Sequence, residues 1–183
     1  MSISGGGGLK RRGGTGMVGK VRGKQKTFRR REAMLKKVLL PTDGSVNALK
    51  AAEFAVGLMK LLPGIEVTVI NVYQVVPEFG IYDSGFETYD SLLDPGTIET
   101  VKQMSQRVLE KTVAIFEQAG LKVNAVSVEG EPGRKIADFA KEGGYDHIII
   151  GSRGMGALSG LASGSVTQKV LYFATCPVTV IKG

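Results

Sequence analysis

Residues 147–174 read HIIIGSRGMGALSGLASGSVTQKVLYFA, and the order of their parts decides the fold. An apolar run, HIIIG, gives way to a segment with glycines at 151, 154, 156, 160 and 164, and then to SVTQKVLYFA, which reads as a helix. A short run with no polar alternation is a strand covered on both faces, as parallel sheets require. Glycine loses more backbone freedom on folding than any other residue, so a cluster of it implies that something lies against the main chain. An anion fits. Gly154 and Gly156 remove Cβ atoms where it would meet backbone N–H groups. Gly164-Ser165 then opens a helix whose first amides are unpaired and whose dipole favours negative charge. Ser165 and Thr167 add hydroxyl donors in the same turn. The competing reading is a tight crossover in which Ser165 is only an N-cap.

The flanking sequence repeats the alternation. KKVLLPTDGS is a strand ended by a turn, and Ser45 is the N-cap expected for VNALKAAEFAVGLMKLL, where Leu49, Ala52, Val56, Met59 and Leu62 follow helical spacing. Pro63-Gly64 stops that helix, and EVTVINVY is the second strand. Residues 77–96 carry five acids and no regular period, so they read as a long surface loop, a lid or an interface. TIETVKQMSQRVLEKTVAIFEQAG is an amphipathic helix with Val101, Val108 and Ile115 on one stripe and Gly120 at its end. LKVNAVSVEG is a strand, PGRKIADFAKEGG a short helix with Pro132 in its first turn, and PVTVIKG the last strand.

The order β-α-β-α-β-α-β-α-β predicts an α/β, Rossmann-like fold: a five-stranded parallel sheet with helices on both faces. Ligands of such folds sit at the carboxyl ends of the strands, near the switch in strand order. Pro41-Thr42-Asp43, Asn71-Val72-Tyr73 and the glycine segment after Ile150 are the candidate ends. Neither standard phosphate motif applies. No G-x-x-x-x-G-K-[ST] string exists, and Gly154-Met155-Gly156 fails the dinucleotide pattern because its next glycine, Gly160, comes one residue late.

Charge divides the chain. Residues 1–33 hold ten Lys/Arg against one acid, Glu32, while residues 34–183 hold fourteen against sixteen. The basic, glycine-rich segment 1–33 lacks apolar periodicity and reads as a disordered tail. Three origins compete for it: sequence upstream of a natural start at Met34, an arm for RNA, DNA or anionic lipid, and an organelle transit peptide. Its glycine content argues against the amphipathic helix a transit peptide needs. Residues 34–183 form the domain. No apolar run approaches the roughly 18 residues of a membrane span, and no apolar h-region stands near the start. The lone Cys176 fits a reducing compartment, so a cytoplasmic location is expected.

GSRGMGALSGLASGSVT fits G-x2-G-x9-G-[ST], with Gly151, Gly154, Gly164 and Ser165 at the four positions. This resembles the nucleotide-binding signature of the universal stress protein family. The likeness extends over about residues 35–182, through VLLPTDGS, GEP and CPVTVI. Family members with this glycine pattern bind ATP, on an adenine nucleotide alpha-hydrolase-like fold. The resemblance implies that Pro41, Thr42 and Asp43 line the adenosine end and that Val72 meets adenine through its backbone. It places Gly151, Ser152, Arg153, Gly154, Met155, Gly156 and Ala157, with Gly164, Ser165, Val166 and Thr167, around ribose and phosphates. Each residue also has a plainer reading: Asp43 as a helix cap, Val72 as strand core, Arg153 as a solvated loop residue. His147 and Cys176 read as structural.

Hydrolysis needs a placed water, a group to orient it and usually a charge clamp around magnesium. No Walker lysine, paired carboxylates or nearby histidine answers that need, so binding is expected and fast turnover is not. Magnesium is expected to arrive with the nucleotide, held by phosphates and water. The favoured function is an ATP-binding stress-response regulator in which occupancy alters a partner surface. The alternatives are an adenylate-using transferase, which lacks its usual motif after the first strand, and a nucleic-acid-associated stress factor acting through the tail. The terminal strand, residues 177–182, lies at a sheet edge, and the resemblance implies a homodimer joined there.

Overall fold

In a computed structural model, Met1 and residues 35–75, 95–154 and 163–182 are described. The fold lies in Met34–Gly183, the second of two units into which the chain divides. The expectations for the tail beyond Met1 and for residues 77–94 fall outside the described residues.

Strands and helices alternate as the pattern requires: β1 (Lys37–Pro41), α1 (Val46–Leu61), β2 (Glu66–Tyr73), α2 (Pro95–Gln118), β3 (Asn124–Glu129), α3 (Pro132–Glu142), β4 (His147–Gly151), α4 (Ser165–Phe173) and β5 (Val178–Ile181). The strands form one parallel sheet in the order β3-β2-β1-β4-β5. Successive side chains of a strand point to opposite faces. Val38, Leu40, Val67, Val69 and Ile149 therefore pack with Ala51, Ala52 and Ala55 of α1 and Leu109 and Phe116 of α2. Leu39, Ile70, Ile148 and Ile150 pack on the other side, with Ile136 and Ala140 of α3 and Val170 of α4. Burial on both faces is why the central strands are apolar throughout. The Rossmann-like fold read from the sequence is the fold observed.

Two helix faces differ from the periodicity. In α1 the buried residues are Ala48, Ala51, Ala52 and Ala55, whereas Leu49, Val56 and Met59 are half-buried and Leu62 is exposed. Small side chains let α1 lie close on the sheet, and closest at its start. A Cβ at Gly151 would stand 2.7 Å from the Asn47 carbonyl carbon and 2.8 Å from the Ala48 nitrogen. In α2 the buried stripe is Ser105, Leu109, Thr112 and Phe116, while Val101, Val108 and Ile115 are half-buried. Hydrogen bonds draw Ser105 and Thr112 inward, and hydropathy cannot register that. Helix α2 also begins earlier than expected, taking in Pro95 and Gly96, a position where proline's fixed φ suits a first turn. Gly120, at φ +72°, ends it.

Candidate functional site

The order β3-β2-β1-β4-β5 reverses direction between β1 and β4. From β1 the chain leaves to α1 on one face, and from β4 to α4 on the other. The two strands pair only through Val38–His147 and Leu39–Ile148, then separate. A cavity of about 480 Å³ opens where they part. This is the crevice such a fold offers a ligand.

One wall is apolar: Ile70 and Val72 of β2, Ile150 of β4, and Pro132 and Ile136 of α3. Pro41 and Thr42 continue it from β1, and Ala48 reaches it from α1. The opposite wall is main chain and hydroxyl: Gly151, Arg153, Gly154, Ser163, Gly164 and the first turn of α4, Ser165 to Thr167. Asp43 stands between them, the only carboxylate in the lining among the described residues. The N-cap of α4 is Gly164, and no side chain among the described residues caps the helix. Its first amides thus have no intrahelical acceptor and open onto the cavity.

Eleven of the fifteen residues expected at the site line this cavity: Pro41, Thr42, Asp43, Val72, Gly151, Arg153, Gly154, Gly164, Ser165, Val166 and Thr167. Met155, Gly156 and Ala157 lie outside the described residues. Ser152 is brought close without entering the lining. It is 4% exposed; its N–H donates to Ile181 O (2.7 Å), its carbonyl accepts from Gly164 N–H (2.7 Å), and its hydroxyl accepts from the Asn47 amide (3.3 Å). Ser152 fastens the glycine segment to β5 and α1. The Thr167 hydroxyl is also occupied, donating to Gly151 O at 2.8 Å, so Thr167 offers the cavity its backbone rather than the expected hydroxyl donor.

The glycines divide by cause. Gly151 is required by α1, whose backbone would meet a Cβ there, whereas a Cβ at Gly154 would push on the Asp43 carboxylate. Gly164 has an ordinary φ of −74°, and a Cβ there would make only ordinary contact, 3.4 Å from Arg153 Cα. Among the described residues nothing demands glycine at 164, whose bareness leaves space in front of α4. Asp43 is not the helix cap. Ser45 fills that role, accepting from Ala48 N–H at 3.3 Å, and Asp43 Oδ1 accepts from Ser45 N–H at 3.0 Å. The Ser45 hydroxyl also donates to Arg153 O at 3.3 Å, tying the β1–α1 turn to the β4 loop.

Sequence reasoning missed Ala48, Ile70, Pro132, Ile136, Ile150 and Ser163. Most are apolar residues that hydropathy assigns to core; only the GEP string before α3 marked Pro132's neighbourhood. Glu131 caps α3, accepting from Gly133 N–H (3.3 Å) and Arg134 N–H (2.8 Å), and pairs with Lys169 of α4 at 2.9 Å. The Lys169 ammonium holds the Glu131 carboxyl below its ordinary range. His147 Nε2 lies 2.7 Å from Thr179 Oγ1, away from the cavity lining, and burial holds its imidazole below the ordinary value. Cys176 packs against the α3–α4 side of the core, where burial pushes its thiol up. Among the described residues no group of three or more His, Cys, Asp or Glu is arranged to hold a metal, and no helix is long and apolar enough to cross a membrane.

Comparison with known proteins gives one family. Residues 34–182 match the model described as "Universal stress protein family". Universal stress protein MJ0531 of Methanocaldococcus jannaschii is 34% identical over 156 residues, 85% of this chain and 86% of that protein. Among solved structures, that of MJ0577 from the same organism superposes with a TM-score of 0.67 at 29% identity, covering 82% of this chain and 97% of its own. The universal stress protein of Archaeoglobus fulgidus, solved in complex with dAMP, superposes with a TM-score of 0.56 over 81% of this chain and 99% of its own; at 23% identity it supports the fold alone.

Proposed function

This chain belongs to the universal stress protein family, and from that premise we propose that it binds ATP in the cavity at the β1–β4 divergence and acts as a nucleotide-dependent regulator. The observation that carries the reading is the pairing of an apolar slot with an uncapped helix mouth in one 480 Å³ cavity. A purine needs apolar contact, and Ile70, Val72, Pro132 and Ile136 supply it. A polyphosphate needs amide donors and positive charge, and the first turn of α4 and Arg153 supply those. Asp43 is an acceptor placed for ribose hydroxyls.

Magnesium suits this arrangement as a companion of the phosphates, since among the described residues Asp43 is the one carboxylate in the lining. Bound there, it would neutralise phosphate charge. Regulation follows if two states of the protein bind ATP unequally, because a ligand shifts an equilibrium only by its differential affinity. The lone Cys176 fits a reducing, cytoplasmic setting.

Calorimetry on the full chain, stripped of bound nucleotide, tests the reading. ATP should saturate one site per chain, GTP should bind at least tenfold more weakly, and Gly154→Val should abolish the heat by forcing Asp43 aside. Absence of heat with ATP, ADP and AMP, from a protein shown folded by circular dichroism, overturns it. We also place a dimer at β5, an edge strand of the sheet whose four residues are all half-buried. Val180→Asp should then sediment as a monomer, and an unchanged profile removes that interface.

A further inference from the structure

The turn that carries Asp43 is held from outside the cavity by one face of α2. Thr42 offers two polar atoms, a hydroxyl and a carbonyl, and α2 reaches both. Proton accounting gives the direction of each bond, because a hydroxyl has one proton to give. Thr112 Oγ1 donates to Val108 O at 2.9 Å, so in its 2.9 Å contact with Thr42 Oγ1 it accepts. Thr42 Oγ1 in turn accepts from Gly44 N–H at 3.2 Å. The second arm runs through β2. Asn71 Nδ2 donates to Thr42 O at 2.6 Å, and Asn71 Oδ1 accepts from Ser105 Oγ at 2.6 Å. Ser105 has then spent its proton, so Ser127 of β3 donates to it at 2.5 Å. Lys111 Nζ donates to Gly44 O at 3.4 Å, and Val108 stands against Gly44, whose φ of +75° only glycine adopts readily.

Thr42, Asn71, Ser105 and Thr112 are all buried, Thr112 completely. Valine has the shape of threonine without the cost of burying a hydroxyl, so packing alone would be served as well or better by Val at 112. What a hydroxyl adds is direction, since hydrogen bonds fix distance and angle and apolar contact does not. We propose that Ser105 and Thr112 are positioning residues of the nucleotide site: from α2 they fix the Thr42–Gly44 turn, and with it the Asp43 carboxylate, without lining the cavity themselves. This rests on the nucleotide reading above. It also narrows it, because the turn serves the nucleoside end of the ligand whereas α4 serves the phosphates.

The test uses the full chain with Thr112→Val, Thr112→Ser and Ser105→Ala, read three ways: ATP affinity, affinity for inorganic tripolyphosphate, and hydrogen exchange at the Gly44 amide without ligand. Thr112→Val should weaken ATP binding about tenfold and Ser105→Ala about fivefold, leave tripolyphosphate affinity unchanged, and speed Gly44 exchange. Thr112→Ser should restore both ATP affinity and slow exchange. Wild-type values in Thr112→Val, failure of serine to restore them, or an equal loss for tripolyphosphate would overturn the proposal. Ser105→Ala decides the matter should Thr112→Val not fold. If the wild type binds no adenine nucleotide, the ATP reading fails, and Gly44 exchange by itself decides whether α2 positions the turn.

Discussion

At their amino ends β1 and β4 are laced together; at their carboxyl ends they part around a cavity. The Asp146 carboxylate, just before β4, accepts from the backbone N–H groups of Lys36 (3.1 Å) and Lys37 (2.9 Å) with Oδ2. Asp146 N–H donates to Lys37 O at 2.8 Å. The Lys37 ammonium donates to Gly143 O at 2.6 Å and lies 4.5 Å from the centre of the Tyr145 ring. In these contacts charge meets opposite dipole. At the other end the same strands send their chains to opposite faces, so no ladder continues between them and α4 presents uncapped amides. Among the described residues, one end is closed by hydrogen bonds of the protein itself, while the other opens onto a cavity. The proposed division gives stability to the first and binding to the second.

That contrast can be broken most severely at Gly151, which ends β4, lines the cavity and packs against α1. Gly151→Val would drive a side chain into the backbone of Asn47 and Ala48. A loss of about 3 kcal/mol in chemical denaturation is expected from such overpacking, with ATP binding lost as well. Asp146→Ala acts on the closed end alone. It should cost about 1 kcal/mol of stability, because two backbone donors lose a charged acceptor near the surface, and leave ATP affinity within twofold of wild type. A loss of binding comparable to the loss of stability would mean that the two ends are not separate.

The smallest effect is one of pH. Burial holds His147 below the ordinary imidazole value of 6.5, so the unfolded chain takes up the proton first as pH falls. Its contribution is fully present above about pH 6.5 and is lost as pH drops from there toward the folded value. Thermal melts between pH 7.5 and 5.5 should therefore show a fall that His147→Gln flattens. Glutamine can still reach Thr179 but does not titrate. An unchanged slope in the variant would assign the fall to other groups.

How much of this could be read in advance depended on the range of the interaction. The Ser45 cap, the Pro132 start, the Gly120 stop and the order of strands and helices depend on neighbours a few residues away, and the sequence displays them. The cavity-lining glycines were visible as a pattern, yet their causes were not. A Cβ at Gly154 would press on Asp43, 111 residues earlier, and Gly151 is bare because α1 lies close on β4. The α2 stripe shows the same limit, for hydropathy pointed to Val101, Val108 and Ile115 where the fold buries Ser105 and Thr112.

Sequence alone therefore determined which segments are strands and helices, that the sheet is parallel and sandwiched, and which strand ends could meet a ligand. These follow from periodicity and local backbone chemistry. Tertiary structure decided what each polar atom does: that the Thr167 hydroxyl is spent on Gly151, that Ser152 fastens rather than lines, and that Thr42 is gripped from α2. Hydrogen bonds join residues 12 to 105 positions apart in these cases, and only the folded chain brings them within reach.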